Sequence, residues 1–237
     1  MVKGGPRAAG LFADTIRMFF RSSRPMRVGA ESAGDAAAHG GADAAGSDLL
    51  LRLRPPGISR FPGTTDPLSP EHALLIRASH GEAAAVLDAA RGRRLAQGDI
   101  DRLLHHVNPT GSGRNCLECS LALDDLLAGK AVVAGPCRET INTKLVSQML
   151  DERSLYALPG LRPDELRVVE SQLTSFGGGA RGIILRLGQT SEGIPSHTYN
   201  VVNIGGRIQY LDGQVNKSFG RHPARGQLST YDFYRTA

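Results

Sequence analysis

The stretch HTYNVVNIGGRIQYLDGQ, residues 197–214, contains the clearest indication of local structure in this chain. Two runs rich in β-branched and aromatic residues flank Gly205-Gly206, and a Gly-Gly pair in that position is typical of a tight β-hairpin. A two-residue turn would pair Ile204 with Arg207. Side chains alternate along a strand, and the residues that would then share one face are His197, Tyr199, Asp212 and Gln214.

One pair on this predicted hairpin suggests chemistry. In the register above, Tyr199 is opposite Asp212, and His197 is the diagonal neighbour of Asp212. Diagonal neighbours lie roughly 7–8 Å apart, so the imidazole and the carboxylate can meet. A carboxylate that holds an imidazole is the usual arrangement for orienting a general base. The inference depends on an unbroken ladder, because a bulge would change the register.

The chain before the hairpin has helical periodicity. Ser69-Pro70 is a typical helix start, with an N-cap residue followed by proline. The stretch RGIILRLG, residues 181–188, predicts a buried strand. Apolar spacing predicts helices over about 70–89 (as one helix or two, broken near Gly81), 98–107, 116–128, 136–151 and 165–176. Helices followed by an antiparallel sheet indicate an α+β fold.

A second stretch, GSGRNCLECSLALDDLLAG at residues 111–129, contains two cysteines at the start of a predicted helix. Asn115 is a favourable N-cap residue, which would put Cys116 in the first turn. The positive end of the helix dipole favours a thiolate there. Cys119 lies one turn deeper and is placed to pack, and Gly129 is placed to end the helix.

These residues together predict a cysteine hydrolase. Cys116 would attack a carbonyl as a thiolate, His197 would transfer the proton, and Asp212 would fix the tautomer of His197. The product is a thioester that water cleaves. An oxyanion also needs donors. The candidates are the backbone N–H of Cys116 and the side chains of Asn108 and Asn115, while Gln214 could line or support the cleft.

Other interpretations of the cysteines remain open on the residues alone. Cys116 and Cys119 could bind zinc together with Cys137 and a histidine, either His197 or His105, although the second pair of ligands lacks a tight spacing. They could also form a redox pair or simply pack in the core. We predict no metal and no cofactor.

The composition excludes several classes of protein. Three cysteines in 237 residues do not form a disulfide framework, which indicates a reducing compartment. The net charge of +5 is carried by residues 1–30, and the rest of the chain has equal numbers of acidic and basic residues, so we expect no nucleic-acid partner. No signal peptide and no membrane-spanning stretch are visible. We therefore expect a protein made soluble in the cytoplasm, without stable membrane insertion.

The first 65 residues differ in composition from the remainder. Residues 29–47 are mostly alanine and glycine, and residues 54–70 are rich in proline. Such segments bury too little apolar surface to offset the entropy of ordering. We predict a basic, disordered region over 1–65 and a folded domain over 66–237. The basic segment near residues 7–27 could also form an amphipathic helix that contacts a membrane surface or a secretion partner.

The two stretches together resemble the papain-fold toxin domain of the glutamine deamidase family, found in bacterial polymorphic toxins. The first has the family pattern NC-x-x-C-x-x-A-x-D-x-x-L-x-G, and the second has H-x-x-N-V-V-N followed by D-G-Q. The resemblance implies a papain-like fold in which the nucleophile helix packs on an antiparallel sheet. It also implies a triad at Cys116, His197 and Asp212. The pair after the histidine, Thr198-Tyr199, departs from what is common in the family and leaves the pocket shape open.

The resemblance implies a function as well. A family member would deamidate a glutamine side chain of a target protein as a toxin or effector, released by a dedicated secretion system and neutralised by an immunity protein. The alternatives are a thiol protease that uses the same triad and a non-enzymatic interaction module, which zinc could hold together.

Overall fold

The computed structural model describes residues 58–59, 68–137, 141–188, 195–222 and 229–237. The predicted disordered region over 1–65 lies outside these residues except for Ile58–Ser59, which forms a short strand (β1) parallel to Val133–Ala134 (β2). The boundary near residue 65 therefore stays a prediction. Among the helices that the structure describes, none combines the length and the apolar character that a membrane crossing needs.

Five α-helices are described. They are α1 (Pro70–Ala89), α2 (Gln97–Val107), α3 (Cys116–Leu127), α4 (Thr143–Arg153) and α5 (Leu166–Phe176), with a 3₁₀ turn at Pro163–Glu165 before α5. The Ser69 hydroxyl accepts a hydrogen bond from the His72 backbone N–H at 3.1 Å, so the predicted cap of α1 is confirmed. Helix α1 is continuous through Gly81.

The sheet contains more strands than the sequence indicated. The described strands are β3 (Tyr156–Leu161), β4 (Arg181–Leu187), β5 (His197–Ile204), β6 (Arg207–Asp212), β7 (Lys217–Phe219) and β8 (Thr230–Arg235), in the order β3-β8-β4-β5-β6-β7. All neighbours are antiparallel. Ile204 pairs with Arg207 across Gly205-Gly206, as predicted, and both glycines have positive φ (59° and 93°). The α+β architecture is confirmed.

The start of the fourth helix differs from the prediction. The sequence pattern predicts a helix from residue 136, but α4 begins at Thr143. The Asn142 side chain accepts a hydrogen bond from the Lys144 backbone N–H at 2.8 Å and caps the helix there. Of the described residues upstream of this cap, Pro136, Cys137 and Ile141 are not helical, which the helical spacing alone did not distinguish.

Helix α3 lies at the centre of the domain because it is buried on nearly every side. Its residues Cys119, Leu123 and Leu126 pack with α1, α2 and the face of the sheet that carries Val202 and Leu211. Its residues Leu117 and Leu121 pack with α4 and strands β4 and β8. Helix α5 covers the opposite face, where the apolar core includes four tyrosines: Tyr156, Tyr199, Tyr210 and Tyr231. The first residue of α3 is thereby fixed against the sheet.

Candidate active site

The ends of three elements meet at one place. Cys116 is the first residue of α3, His197 is the first residue of β5, and Asp212 is the last residue of β6. The Nε2 atom of His197 lies 2.7 Å from Oδ2 of Asp212. Because Asp212 occupies Nε2, the ring nitrogen that remains for the Cys116 thiol is Nδ1, and the imidazole forms a hydrogen bond with that thiol. The structure thus brings together all three residues that the sequence suggested.

The protonation of this pair favours a thiolate. Burial raises the pKa of the Cys116 thiol, but hydrogen bonds with His197 and Thr198 outweigh burial, so the pKa is lower than that of an ordinary cysteine. Burial lowers the pKa of His197, but the hydrogen bonds to Asp212 and Cys116 have the larger effect and raise the pKa to about 9. The imidazole therefore keeps its proton at neutral pH while the sulfur is readily deprotonated. This is the arrangement of an activated thiol nucleophile.

Three polar residues support the position of the sulfur, Thr198 directly and Ser120 and Asn200 through it or through the helix, and no sequence pattern assigned them this role. Ser120 donates a hydrogen bond to the Thr198 hydroxyl at 3.1 Å, and Thr198 forms hydrogen bonds with the Cys116 sulfur through its hydroxyl and its backbone. The Asn200 amide donates to the Ser120 carbonyl at 3.0 Å, one helical turn below. Strand alternation puts Thr198 and Asn200 on the face opposite to Tyr199. That alternation was the available signal, because it places both polar residues against α3.

Asn115 does not cap the helix with its side chain, which corrects the prediction. It occupies the N-cap position, but its amide nitrogen donates to Oδ1 of Asn108 (3.0 Å) and to the Gly135 carbonyl (2.9 Å). The amide nitrogen of Asn108 donates in turn to the carbonyls of Ser112 and Gln214 (3.0 and 2.9 Å). Both asparagines are buried. They join the loop before α3 to the turn after Asp212.

Gln214 has a different environment from the two asparagines. Its backbone N–H donates to Oδ1 of Asp212 at 3.1 Å, so its position is tied to the triad. Its side-chain nitrogen is buried and, within the described residues, faces no acceptor. A buried amide with an uncommitted N–H is unusual in a folded protein. It is the one amide among the three sequence candidates with hydrogens that remain available.

The wall beside His197 is aromatic. The Tyr199 ring lies 5.9 Å from the His197 ring, and its hydroxyl forms a hydrogen bond with Nε2 of His222. Tyr210 and Tyr231 contact the His222 ring edge to face, at centroid distances of 5.1 and 4.9 Å. Burial lowers the pKa of His222 to about 4, so this histidine is neutral at physiological pH. No sequence pattern indicated His222.

The other two cysteines are buried. Cys119 is 1% exposed in the core, and burial raises the pKa of its thiol, as its predicted packing role requires. Cys137 lies beside the Glu118 carboxyl, whose pKa is raised by burial. Across the described residues, no three His, Cys, Asp or Glu side chains form a group that could hold a metal ion. The zinc arrangement considered from the sequence is not formed there.

Residues 114–217 match the family described as papain fold toxin 1, glutamine deamidase. The resemblance seen in the sequence is confirmed. The matched range contains Cys116, His197 and Asp212. The chain also resembles two variants of the Salmonella effector SpvD in solved structures, at 11% and 12% identity and TM-scores of 0.47 and 0.40. Each alignment covers 81% of this chain, and 98% and 91% of the respective SpvD chains. No curated protein matches the sequence.

The family match and the architecture agree. The helix that carries Cys116 packs on an antiparallel sheet that carries His197 and Asp212, as in a papain-like fold. The family supports a cysteine-based deamidase of toxin or effector type, acting on a protein target.

Proposed function

We propose that this protein hydrolyses the side-chain amide of a glutamine in a target protein, with Cys116 as nucleophile, His197 as acid and base, and Asp212 as the group that orients His197. The observation that carries the proposal is the continuous hydrogen-bonded series from the Cys116 sulfur through the His197 imidazole to the Asp212 carboxylate. It lies inside the range that matches a glutamine deamidase family.

The chemistry follows from the positions of these groups. The Cys116 thiolate attacks the side-chain carbonyl carbon, and a C–S bond forms as the carbonyl electrons move to oxygen. The His197 imidazolium gives its proton to the amide nitrogen, and the C–N bond breaks to release ammonia. Water then loses a proton to His197 and attacks the thioester. The products are a glutamate side chain and the regenerated thiolate.

The oxyanion of the first step needs two donors. The backbone N–H of Cys116 is one, because the first N–H groups of a helix have no partner within the helix. We assign the second to the side chain of Gln214. The amides of Asn108 and Asn115 donate both of their hydrogens to carbonyl or amide oxygens, which leaves them no N–H for a substrate.

Removal of the Gln214 amide should slow the reaction without unfolding the protein. We expect Gln214→Ala to lower kcat by about 10²-fold or more, as loss of one oxyanion donor does in other hydrolases, with little change in KM. Gln209→Ala, in the middle of β6, is the control and should leave kcat unchanged. An unchanged kcat in Gln214→Ala would contradict this assignment. So would a lower kcat if the melting temperature of the variant also fell enough to explain the loss of activity.

The reaction itself can be tested with a target-cell protein extract. We expect wild-type protein to release ammonia and to convert glutamine to glutamate at one or a few sites, as measured by quantitative peptide mass spectrometry. Cys116→Ser should abolish both signals, since a hydroxyl at this position lacks the acidity of the thiol. Cys137→Ala, which removes a buried thiol outside the triad, should retain them.

The same experiment separates deamidation from proteolysis. New peptide termini that depend on Cys116, without glutamate formation, would support the thiol protease instead. Neither signal, in a protein whose Cys116 is not selectively alkylated, would favour the non-enzymatic interaction module.

A further inference from the structure

A second cleft lies at the other end of α3 from Cys116. It has a volume of about 660 Å³ and is bordered by the α1–α2 loop, the last residues of α3, and two glycine turns at Gly178-Gly179 and Gly205. Helix α3 has 12 residues. At 1.5 Å per residue, the cleft is about 18 Å along the helix from the Cys116 end. The volume is typical of sites for a small ligand or a few peptide residues.

The floor of the cleft is apolar. Leu87, Leu95, Leu127 and Ile204 line it, and each is only partly buried where it packs against the core formed by α1, α2 and α3. Side chains of this kind stay accessible to a ligand while the core behind them keeps them in place. An apolar group bound here would remove its own surface and the apolar floor of the cleft from water.

The rim of the cleft is cationic. Its lining contains four arginines (Arg91, Arg93, Arg94 and Arg181) and a single acidic residue, Asp88. Arg93 is held by Asp99, with 3.0 Å between Nη2 and Oδ1, and Arg181 by Asp124, with 2.9 Å between Nε and Oδ1. The pair between Arg91 and Asp88 is highly exposed and therefore weak. Among the described residues, no acidic side chain pairs with Arg94.

Arg94 is positioned by a glycine. A Cβ atom on Gly178 would lie 2.9 Å from Nη1 of Arg94, so the guanidinium rests directly on the Gly178 backbone. The Gly205 backbone nitrogen would lie 3.7 Å from the same Cβ atom on Gly178. A guanidinium in a fixed position can bind a carboxylate through two parallel hydrogen bonds. A methyl group at residue 178 would therefore displace the end of the Arg94 side chain from this position.

We propose that this cleft binds an acidic peptide segment of a partner protein, with a carboxylate on Arg94 and an apolar side chain on the leucine floor. Charge complementarity selects the acid, since within the described residues Arg94 on the rim has no acidic partner and Arg91 has only a weak pair. The floor selects a peptide over a small inorganic anion, because phosphate alone would leave the four apolar side chains uncovered. The site is independent of the chemistry at Cys116.

The test uses a short fluorescein-labelled peptide of alternating leucine and glutamate, and fluorescence anisotropy on the full chain. We expect binding that weakens about tenfold or more in Arg94→Ala, because the variant loses the charge-assisted hydrogen bonds to the carboxylate. Gly178→Ala keeps the charge but displaces the guanidinium, so we expect a loss of several-fold. Arg77→Ala, an exposed arginine on α1 outside the cleft, should bind as wild type does, and so should Cys116→Ala.

Several outcomes would overturn the proposal. Equal weakening in Arg77→Ala would show a nonspecific charge effect. Equal binding of a peptide with glutamine in place of glutamate would remove the role of the carboxylate. Full competition by inorganic phosphate, together with equal binding of a peptide with serine in place of leucine, would indicate a small-anion site instead. Unchanged peptide binding in Cys116→Ala would show that the cleft binds independently of hydrolysis at Cys116. The peptide-binding proposal and the hydrolase proposal can therefore fail separately.

Discussion

Two ionisable residues, Cys116 and His197, decide what the site can do at a given pH. The three residues that meet at the candidate site were predictable because each occupies a position with a sequence signal: a helix start, a strand start and an Asp-Gly turn. Their hydrogen-bond partners were not, since Thr198, Ser120 and Asn200 make contacts across about 80 residues of chain. Side-chain roles of that kind depend on which surfaces pack together, and no local pattern encodes them.

The pH dependence should be bell-shaped. Hydrogen bonds with His197 and Thr198 lower the pKa of Cys116 below that of an ordinary thiol, so the thiolate forms at a lower pH than in an unassisted cysteine. The pKa of His197 is raised to about 9, so above that pH the imidazolium loses the proton that the leaving ammonia needs. We expect hydrolysis to rise as Cys116 deprotonates and to fall as the pH passes about 9.

Alkylation measures the deprotonation of Cys116 alone, which is the rising part of the pH profile. A brief iodoacetamide pulse at mildly acidic pH, followed by peptide mapping, should label Cys116 in preference to Cys119 and Cys137. In His197→Ala the labelling curve should move to higher pH, because burial then acts on the thiol without the imidazole to oppose it. Equal, slow labelling of all three cysteines, unaffected by His197, would contradict the thiolate–imidazolium pair.

At the scale of elements, the turn after β6 fits closely against α3. A Cβ on Gly213 would lie 2.8 Å from Cγ1 of Val107 and 3.4 Å from both the Cβ and the carbonyl oxygen of Cys119. The glycine in the Asp-Gly-Gln sequence is therefore favoured by packing, since its φ is not in the left-handed region. This contact sets the distance between the helix of the nucleophile and the strand that ends in Asp212.

A methyl group at this position should disturb both stability and catalysis. We expect Gly213→Ala to lower the free energy of unfolding by about 1–3 kcal/mol, the usual effect of overpacking, and to reduce activity as Asp212 shifts away from His197. Urea unfolding and hydrolysis assays measure the two effects. Gly220→Ala is the control, because a Cβ there meets nothing within 4 Å. Wild-type behaviour in Gly213→Ala would mean that the turn can move freely from α3.

The elements themselves were predicted unevenly. The hairpin and α3 were predictable because turn chemistry and helix-start residues mark them locally. Strands β3, β7 and β8 were missed, and β8 pairs with both β3 and β4 although its sequence, TYDFYR, shows only a short aromatic run. Such a strand is selected by its neighbours in the sheet rather than by its own propensity.

At the scale of the whole molecule, one buried aspartate joins distant parts of the chain. Oδ1 of Asp124, on α3, accepts hydrogen bonds from Nε of Arg181 on β4 (2.9 Å) and from the Thr236 hydroxyl (2.6 Å). The Arg181 backbone N–H donates to the carbonyl of Ala237 at 2.9 Å. The nucleophile helix, the centre of the sheet and the last residues of the chain are thereby connected.

Two neighbouring aspartates allow a matched test. Asp124→Ala leaves the mostly buried Arg181 guanidinium without its carboxylate, and we expect a loss of roughly 3–5 kcal/mol in unfolding free energy. Asp125→Ala removes carboxylate contacts to the more exposed Arg153 and Lys130, for which less than about 1 kcal/mol is expected. Equal losses of unfolding free energy in the two variants, measured by urea unfolding, would show that Asp124 stabilises the fold no more than Asp125 does.

The sequence by itself determined the fold class and the hairpin register, and it indicated three residues that the structure brings together. These depend on local rules: the alternation of side chains along a strand, the dihedral freedom of Gly205-Gly206, and the start of a helix at Cys116. Tertiary structure alone decided that Asn115 bonds to Asn108 instead of capping α3 and that Arg94 rests on Gly178. It also decided that the side-chain nitrogen of Gln214 has no acceptor among the described residues. Each of these depends on which polar groups meet when remote segments pack, and that is settled by the competition of many contacts in the folded core.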